Sequence, residues 1–305
     1  MAAVQSYIKG FTTYLRLEKH LSEATIAAYT HDVAQFAAFL QEARQTPVSW
    51  TAVRQAEVER FLKYLYDMNL AAVTQARMLS GLKSFFGYLV EEGELGVSPA
   101  ELVEAPQWRR HLPEVLTVEE IDRLMQAIDM SKAEGRRNKA ILAVLYACGL
   151  RVSELTNLRI SCLFLDDGFV RVIGKGNKER LVPIGHEAIR LVEHYLRYDR
   201  SQLTVKPGCE DIVFLNRRGG RLSREMVFMM IRQTAGLAGV TKPVSPHSFR
   251  HSFATHLVEG GADLRAVQEM LGHATITTTE ISTHLDKRYL RETIQQFHPL
   301  SKYKA

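Results

Sequence analysis

The stretch from Ser245 to His284 reads SPHSFRHSFATHLVEGGADLRAVQEMLGHATITTTEISTH. His247 and Arg250 stand three residues apart, so on a helix they share a face. His273 follows Gly272 at the end of a short amphipathic run, and Ser282 comes nine residues later beside Thr283 and His284. Upstream, Arg151 lies just past a buried-looking run stopped by Gly149, and Lys175 lies in the glycine turn Gly174–Lys178. Cationic donors gathered around one point suit an anionic substrate whose oxygens gain charge during reaction. A phosphodiester fits that description.

Taken one at a time these residues say little, since an arginine after a helix or a lysine in a turn is ordinary surface. Their order and spacing say more. Arg151 precedes Lys175 by 24 residues, His247 follows Lys175 by 72, and His273 and Ser282 follow His247 by 26 and 35. With that spacing, the strings GLRVSEL, GKGNKERLVP, SPHSFRHSFATHL and LGHATITTT make the chain resemble the tyrosine recombinases of the phage-integrase superfamily. The similarity runs over essentially the whole chain and is strongest to the Xer type, which resolves chromosome dimers.

The resemblance implies a site-specific DNA recombinase that cleaves and rejoins strands through a covalent 3′-phosphotyrosyl intermediate. It casts Arg151 and Arg250 as grips on the non-bridging oxygens, a task suited to planar, always-charged guanidinium groups. It casts His247 and His273 as further donors, one of them moving a proton. Lys175 protonates the leaving 5′-oxygen. No ATP is needed, because the covalent link stores the bond energy. No metal is implied, and no carboxylate cluster suited to Mg²⁺ stands out; the expectation is no cofactor. Glu154, three residues after Arg151, either orients that arginine or is a surface carboxylate. His251 and His256 are given no catalytic role.

One departure stands against these matches. The family carries its nucleophilic tyrosine where this chain has Ser282. A phenol has a pKa of about 10, within reach of activation by nearby cations. An aliphatic hydroxyl is far less acidic, and serine is shorter by a whole ring. Three readings stand: a variant altered to bind DNA without cutting it, a naturally inactive homologue, or a displaced nucleophile at Tyr289. The last requires a shift of two helical turns, about 10 Å along the axis, and Tyr289 is expected to pack within the C-terminal helix instead.

The elements that must position these residues follow from composition and periodicity. With 305 residues, 46% hydrophobic and 24% charged, the chain can build two cores. Three cysteines in no paired spacing fit a reducing compartment. No signal-peptide core opens the chain, and the apolar run 140–150 is too short to cross a bilayer. A bacterial cytoplasmic, nucleoid-associated protein with no membrane partner is expected. Residues 1–106 hold 9 Lys+Arg against 12 Asp+Glu, whereas the rest holds 30 against 22. The basic part is the part that carries the motif, which suits a polyanion.

Apolar spacing gives four helices in residues 1–106, a small bundle corresponding to the family's N-terminal SAM-like core-binding domain. A proline-punctuated linker at 107–115 contains Arg109 and Arg110. Residues 116–305 form the C-terminal α+β catalytic domain, opened by the capping box Thr117–Glu120 and holding a β-hairpin around Gly174–Lys178. The fold class is therefore mainly α with a small β-sheet. Candidate DNA contacts are Thr25, Tyr29, Gln75, Arg77, Lys83, Arg109, Arg110 and Lys178. The implied partner is double-stranded DNA with paired inverted half-sites, bound by a homotetramer or by a heterotetramer with a related recombinase. The short helix after Ser282 either folds onto its own domain or docks on a neighbouring protomer. The competing function is a non-catalytic DNA-binding homologue. A nuclease or type IB topoisomerase-like enzyme shares the arginine and histidine logic but not the match in residues 1–106.

Overall fold

The computed structural model describes residues 2–44, 48–106, 115–174, 177–272 and 284–302. The fold is mainly helical with a three-stranded sheet, and the chain divides into two compact units, Met1–His111 and Leu112–Ala305.

The first unit holds four long helices, α1 (Ala2–Leu17), α2 (Glu23–Arg44), α3 (Gln55–Asp67) and α4 (Ala72–Glu91). Their apolar positions recur at helical spacing and, with Trp50 from the link between α2 and α3, meet in one aromatic core of Phe11, Phe36, Phe61, Phe85 and Phe86. Trp50 meets Phe85 edge-on with ring centroids 4.7 Å apart, a geometry the ring quadrupoles favour. Asp32 is fully buried and receives both terminal guanidinium nitrogens of Arg77.

The second unit is built around α6 (Ala133–Cys148), whose residues Ala140–Cys148 are all buried. A helix apolar on every face must be surrounded. Here α8 (His186–His194) and α10 (Pro246–Glu259) pack against it, with α5 (Val118–Gln126) and the strands completing the core. Thr117 caps α5 as its sequence indicates: its hydroxyl accepts the Glu120 N–H, and the Glu120 carboxylate accepts the Thr117 N–H. Such a cap contributes about 1 kcal/mol. Strands β1 (Leu163–Phe164), β2 (Phe169–Ile173) and β3 (Glu179–Pro183) form an antiparallel sheet with Val170 opposite Val182. In the β2–β3 turn Asn177 takes a positive φ of 59°, a conformation asparagine tolerates better than most residues.

Helix α8 continues directly into one turn of π-helix, Tyr195–Asp199, before α9 (Arg224–Leu237). The widened turn is pinned at both ends. Asp199 receives Arg136 Nε at 3.0 Å, and the Tyr195 hydroxyl accepts the Leu215 N–H at 3.1 Å.

The terminal helix α12 (His284–Phe297) finds its surface on its own domain, against β3, α10 and α11 (Leu264–Leu271). Leu290 and Ile294 enter the core, and Phe297 packs on the Gly260–Gly261 turn. Past the helix, His298 is buried: its Nε2 donates to the Tyr146 carbonyl at 3.2 Å, and its Nδ1 accepts the Leu300 N–H at 3.2 Å. Tyr289 lies within this helix and is half exposed. It sits one position before Leu290, and 100° around a helix is enough to turn it to solvent.

Candidate active site

Helix α6 ends at Gly149, whose φ of +57° turns the chain away. A Cβ there would lie 2.5 Å from the Phe253 ring, so only glycine lets α10 approach this closely. Two residues on, Arg151 starts the short helix α7 (Val152–Thr156). Its backbone N–H donates to Glu154 Oε2 at 2.8 Å, and its Nη1 donates to Glu154 Oε1 at 2.9 Å. The Arg151 side chain stays 39% exposed while that of Glu154 is 3% exposed. Of the two readings left open for Glu154, surface carboxylate and holder of Arg151, the second is the one the geometry supports.

A second arginine, which sequence reasoning passed over, completes the pair. Arg180 on β3 donates from Nη1 and Nη2 to the two oxygens of Glu154, both at 2.9 Å. Its Nε donates to the Met270 carbonyl at 2.7 Å. Burial alone would raise the Glu154 pKa, but the hydrogen bonds and charge of Arg180, then the contacts of Arg151, outweigh it and hold the carboxyl below its ordinary value. The alternation of β3 places Arg180 on the face of the buried Val182, opposite Leu181, but its meeting with Glu154 is set only by the tertiary fold.

Arg250 comes from the first turns of α10, which starts at the N-cap Ser245 with Pro246 in the first helical position. It is 7% exposed. Nη1 donates to the Gly149 carbonyl at 2.7 Å and Nη2 to the Leu271 carbonyl at 2.6 Å. Both carbonyls sit where a helix ends in a left-handed glycine, Gly149 after α6 and Gly272 after α11. Arg250 therefore ties together two helix C-termini, whose partial negative charge favours a cation. Its pKa is pushed down to about 10, first by desolvation and then by the like charge of Arg151; Glu154 opposes this, and Arg180 adds to it. Two of its five donors are occupied by backbone, so a substrate oxygen would be met by the remainder.

His247 occupies the first turn of α10 and is exposed, three residues from Arg250. His256 belongs to the interior instead: its Nδ1 lies 2.7 Å from the Tyr146 hydroxyl, and desolvation lowers its pKa. Lys178 is exposed at the hairpin, with its carbonyl accepting the Gly174 N–H at 2.8 Å. Lys175, His273, Ser282, Arg109 and Arg110 lie outside the described residues. Among the described residues, the site thus bonds Arg151 and Arg180 to the carboxylate of Glu154, with Arg250 near enough for its charge to be felt. Such a set cannot act as a general base at neutral pH, but it is suited to stabilising an anion.

In the first unit the candidate contacts separate by burial. Lys83 and Arg77 are exposed, and Tyr29 and Thr25 are half-buried. Gln75 is corrected: it is 3% exposed, with Nε2 donating to the Leu70 carbonyl at 2.8 Å, because it lies on the face of α4 that meets the core. Arg77 is held by Asp32, and Lys83 donates to the Glu101 carbonyl. Among the described residues no helix is long and apolar enough to cross a membrane.

The chain matches two family models, the phage integrase family over residues 114–288 and the phage integrase N-terminal SAM-like domain over residues 8–93. It is 43% identical over 295 residues to tyrosine recombinase XerD of Chlorobaculum tepidum, covering 96% of both chains. It is 40% identical over 296 residues to tyrosine recombinase XerD of Staphylococcus saprophyticus, covering 97% of this chain and 99% of the relative. Among solved structures it resembles the XerH site-specific recombinase bound to difH substrate in a pre-cleavage complex, with a TM-score of 0.66, 26% identity, and coverage of 82% and 74%. On the two family models and on XerD relatives matched over nearly their full length, the chain belongs to the tyrosine recombinase, or phage integrase, family.

Proposed function

We propose that this chain binds duplex DNA at paired inverted half-sites and holds a scissile phosphate against Arg151, Arg250 and His247, poised for site-specific recombination but halted before cleavage. The observation that carries this reading is the excess of positive charge in the site: two guanidinium groups bond one carboxylate, and a third, that of Arg250, stands near enough to feel their charges. The relatives named as recombinases support the substrate class. The reading assigns Lys175 to protonation of the leaving 5′-oxygen and His273 to a further donor on the phosphate. Ser282 stands at the nucleophile position, and its short aliphatic hydroxyl neither reaches nor attacks the phosphorus well. Arg109, Arg110 and Lys178, with Thr25, Tyr29, Arg77 and Lys83, are assigned to the DNA backbone. Assembly into a tetramer, of this chain alone or with a related recombinase, in the bacterial cytoplasm belongs to the same proposal.

The test compares this chain with Ser282→Tyr on a nicked duplex that traps a cleaved strand. The chain as written should shift the DNA without forming a covalent adduct, and its affinity should fall steeply with salt. Ser282→Tyr should form the adduct, mapped to residue 282. Capture by the unaltered chain at Tyr289 would sink the reading, as would an inert Ser282→Tyr variant that still binds the site.

A further inference from the structure

Arg180 lies one layer behind the groups that would face a substrate. Its guanidinium fork uses both terminal nitrogens on Glu154 and its Nε on the Met270 carbonyl. Its side chain is 11% exposed. Three backbone points close on this one buried pair. The first is the Arg151 amide, bonded to Glu154 Oε2 at 2.8 Å. The second is Gly174, where a Cβ would lie 3.6 Å from Arg180 Nη1 and 3.7 Å from Glu154 Oε1. The third is Gly272, with φ +67°, where a Cβ would lie 3.1 Å from Arg180 Cδ and 3.2 Å from Nη1. Each point is a candidate site residue or directly precedes one in sequence: Arg151 itself, Lys175 after Gly174, and His273 after Gly272.

Resting on the functional reading above, we propose that Arg180 is the positioning residue of the site, a single buried guanidinium that sets helix α7, the β2–β3 hairpin and the end of α11 in register with one another. Only arginine has the geometry. A planar fork can hold both carboxylate oxygens and still aim Nε at a carbonyl, whereas an ammonium would have to choose. The simpler alternative is that Arg180 merely neutralises the buried charge of Glu154.

Two variants of the full-length chain separate these roles, Arg180→Gln and Arg180→Gln combined with Glu154→Gln. The double variant removes the unpaired buried carboxylate, so its melting temperature should return toward the parent even where the single variant folds poorly. In the Ser282→Tyr background at saturating DNA, a positioning role predicts that the double variant forms adduct about 100-fold slower than Glu154→Gln alone, with DNA affinity little changed, since small misplacements of reacting groups cost that much. Arg180→Lys should recover part of the rate. A double variant that regains both stability and rate shows that Arg180 only neutralises charge, and overturns the proposal. Amide hydrogen exchange on the chain as written reads the coupling without any activity. Segments spanning Arg151–Glu154, the hairpin and Met270–Gly272 should exchange together about tenfold faster or more in the double variant, with α8 and α9 unchanged. Acceleration confined to β3 overturns the proposal as well. If Ser282→Tyr forms no adduct at all, the functional reading fails while the exchange pattern still decides whether Arg180 sets the three elements.

Discussion

Each unit of the molecule seals a carboxylate against arginine, but in different proportion. In the first unit Asp32 pairs with Arg77 among the described residues, one negative charge against one positive, and the Arg77 side chain remains 42% exposed to water. In the second unit Glu154 meets Arg151 and Arg180, and Arg250 stands close enough to feel both. Three guanidinium groups against one carboxylate leave two positive charges without a counterion in the set. Arg180 and Arg250 are largely withdrawn from water, so solvent does little to relieve this. A balanced pair such as Asp32–Arg77 has a structural role, as does Arg136–Asp199 elsewhere in the second unit. An unbalanced cluster keeps a standing attraction for an anion that the described residues do not satisfy. The ratio of charges, rather than their burial, marks the candidate site.

The largest effect that would break this comparison comes from removing each carboxylate's charge. Glu154→Gln leaves two buried guanidinium groups and Arg151 with no negative partner among the described residues, and should cost about 3–5 kcal/mol of stability. Urea unfolding at pH 7, with the denaturant slope checked for constancy, measures it. A loss below about 1 kcal/mol would mean that the surplus charge is already relieved, and that the contrast with Asp32 is empty.

Acid should separate the two units next. His298 is buried and neutral, its pKa pushed down to about 3 by desolvation, and His256 is lowered for the same reason. In the first unit the described histidines, His20 and His31, are exposed. A histidine whose folded pKa lies below its unfolded value gives its full stability above the unfolded value, near pH 6.5, and loses it as the pH falls toward the folded one. The second unit should therefore weaken below pH 6.5 by up to about 1.4 kcal/mol per pH unit for each such histidine. Scanning calorimetry between pH 7 and pH 5 should show its transition moving down faster than that of the first unit. Equal shifts, or an unchanged slope in His298→Gln, would contradict this.

The smallest effect is Asp32→Asn, which sharpens the comparison from the other side. The freed Arg77 can turn to water, so the loss should be about 1–2 kcal/mol, mainly an ungratified buried amide. A loss as large as that of Glu154→Gln would show that the balanced pair matters as much to the fold as the unbalanced cluster.

The sequence by itself determined the elements and the family. Apolar spacing set the four helices of the first unit, the pattern from Thr117 to Glu120 set the start of α5, and the alternation from Phe169 to Ile173 set β2, because each depends on contacts a few residues apart. His247 and Arg250 were legible as neighbours on one helix face for the same reason. Gln75 was misplaced because helical spacing locates a face without saying which neighbour covers it. Only the tertiary structure decided the rest. Glu154 is buried because Arg180, 26 residues on, folds back over it. Arg250 closes the ends of two helices whose carbonyls lie 101 and 21 residues away. α12 could settle on its own domain because His298 finds the Tyr146 carbonyl 152 residues back. Each of these is a hydrogen bond between distant parts of the chain. No local pattern encodes such a bond, because its worth depends on the water that the assembled core excludes.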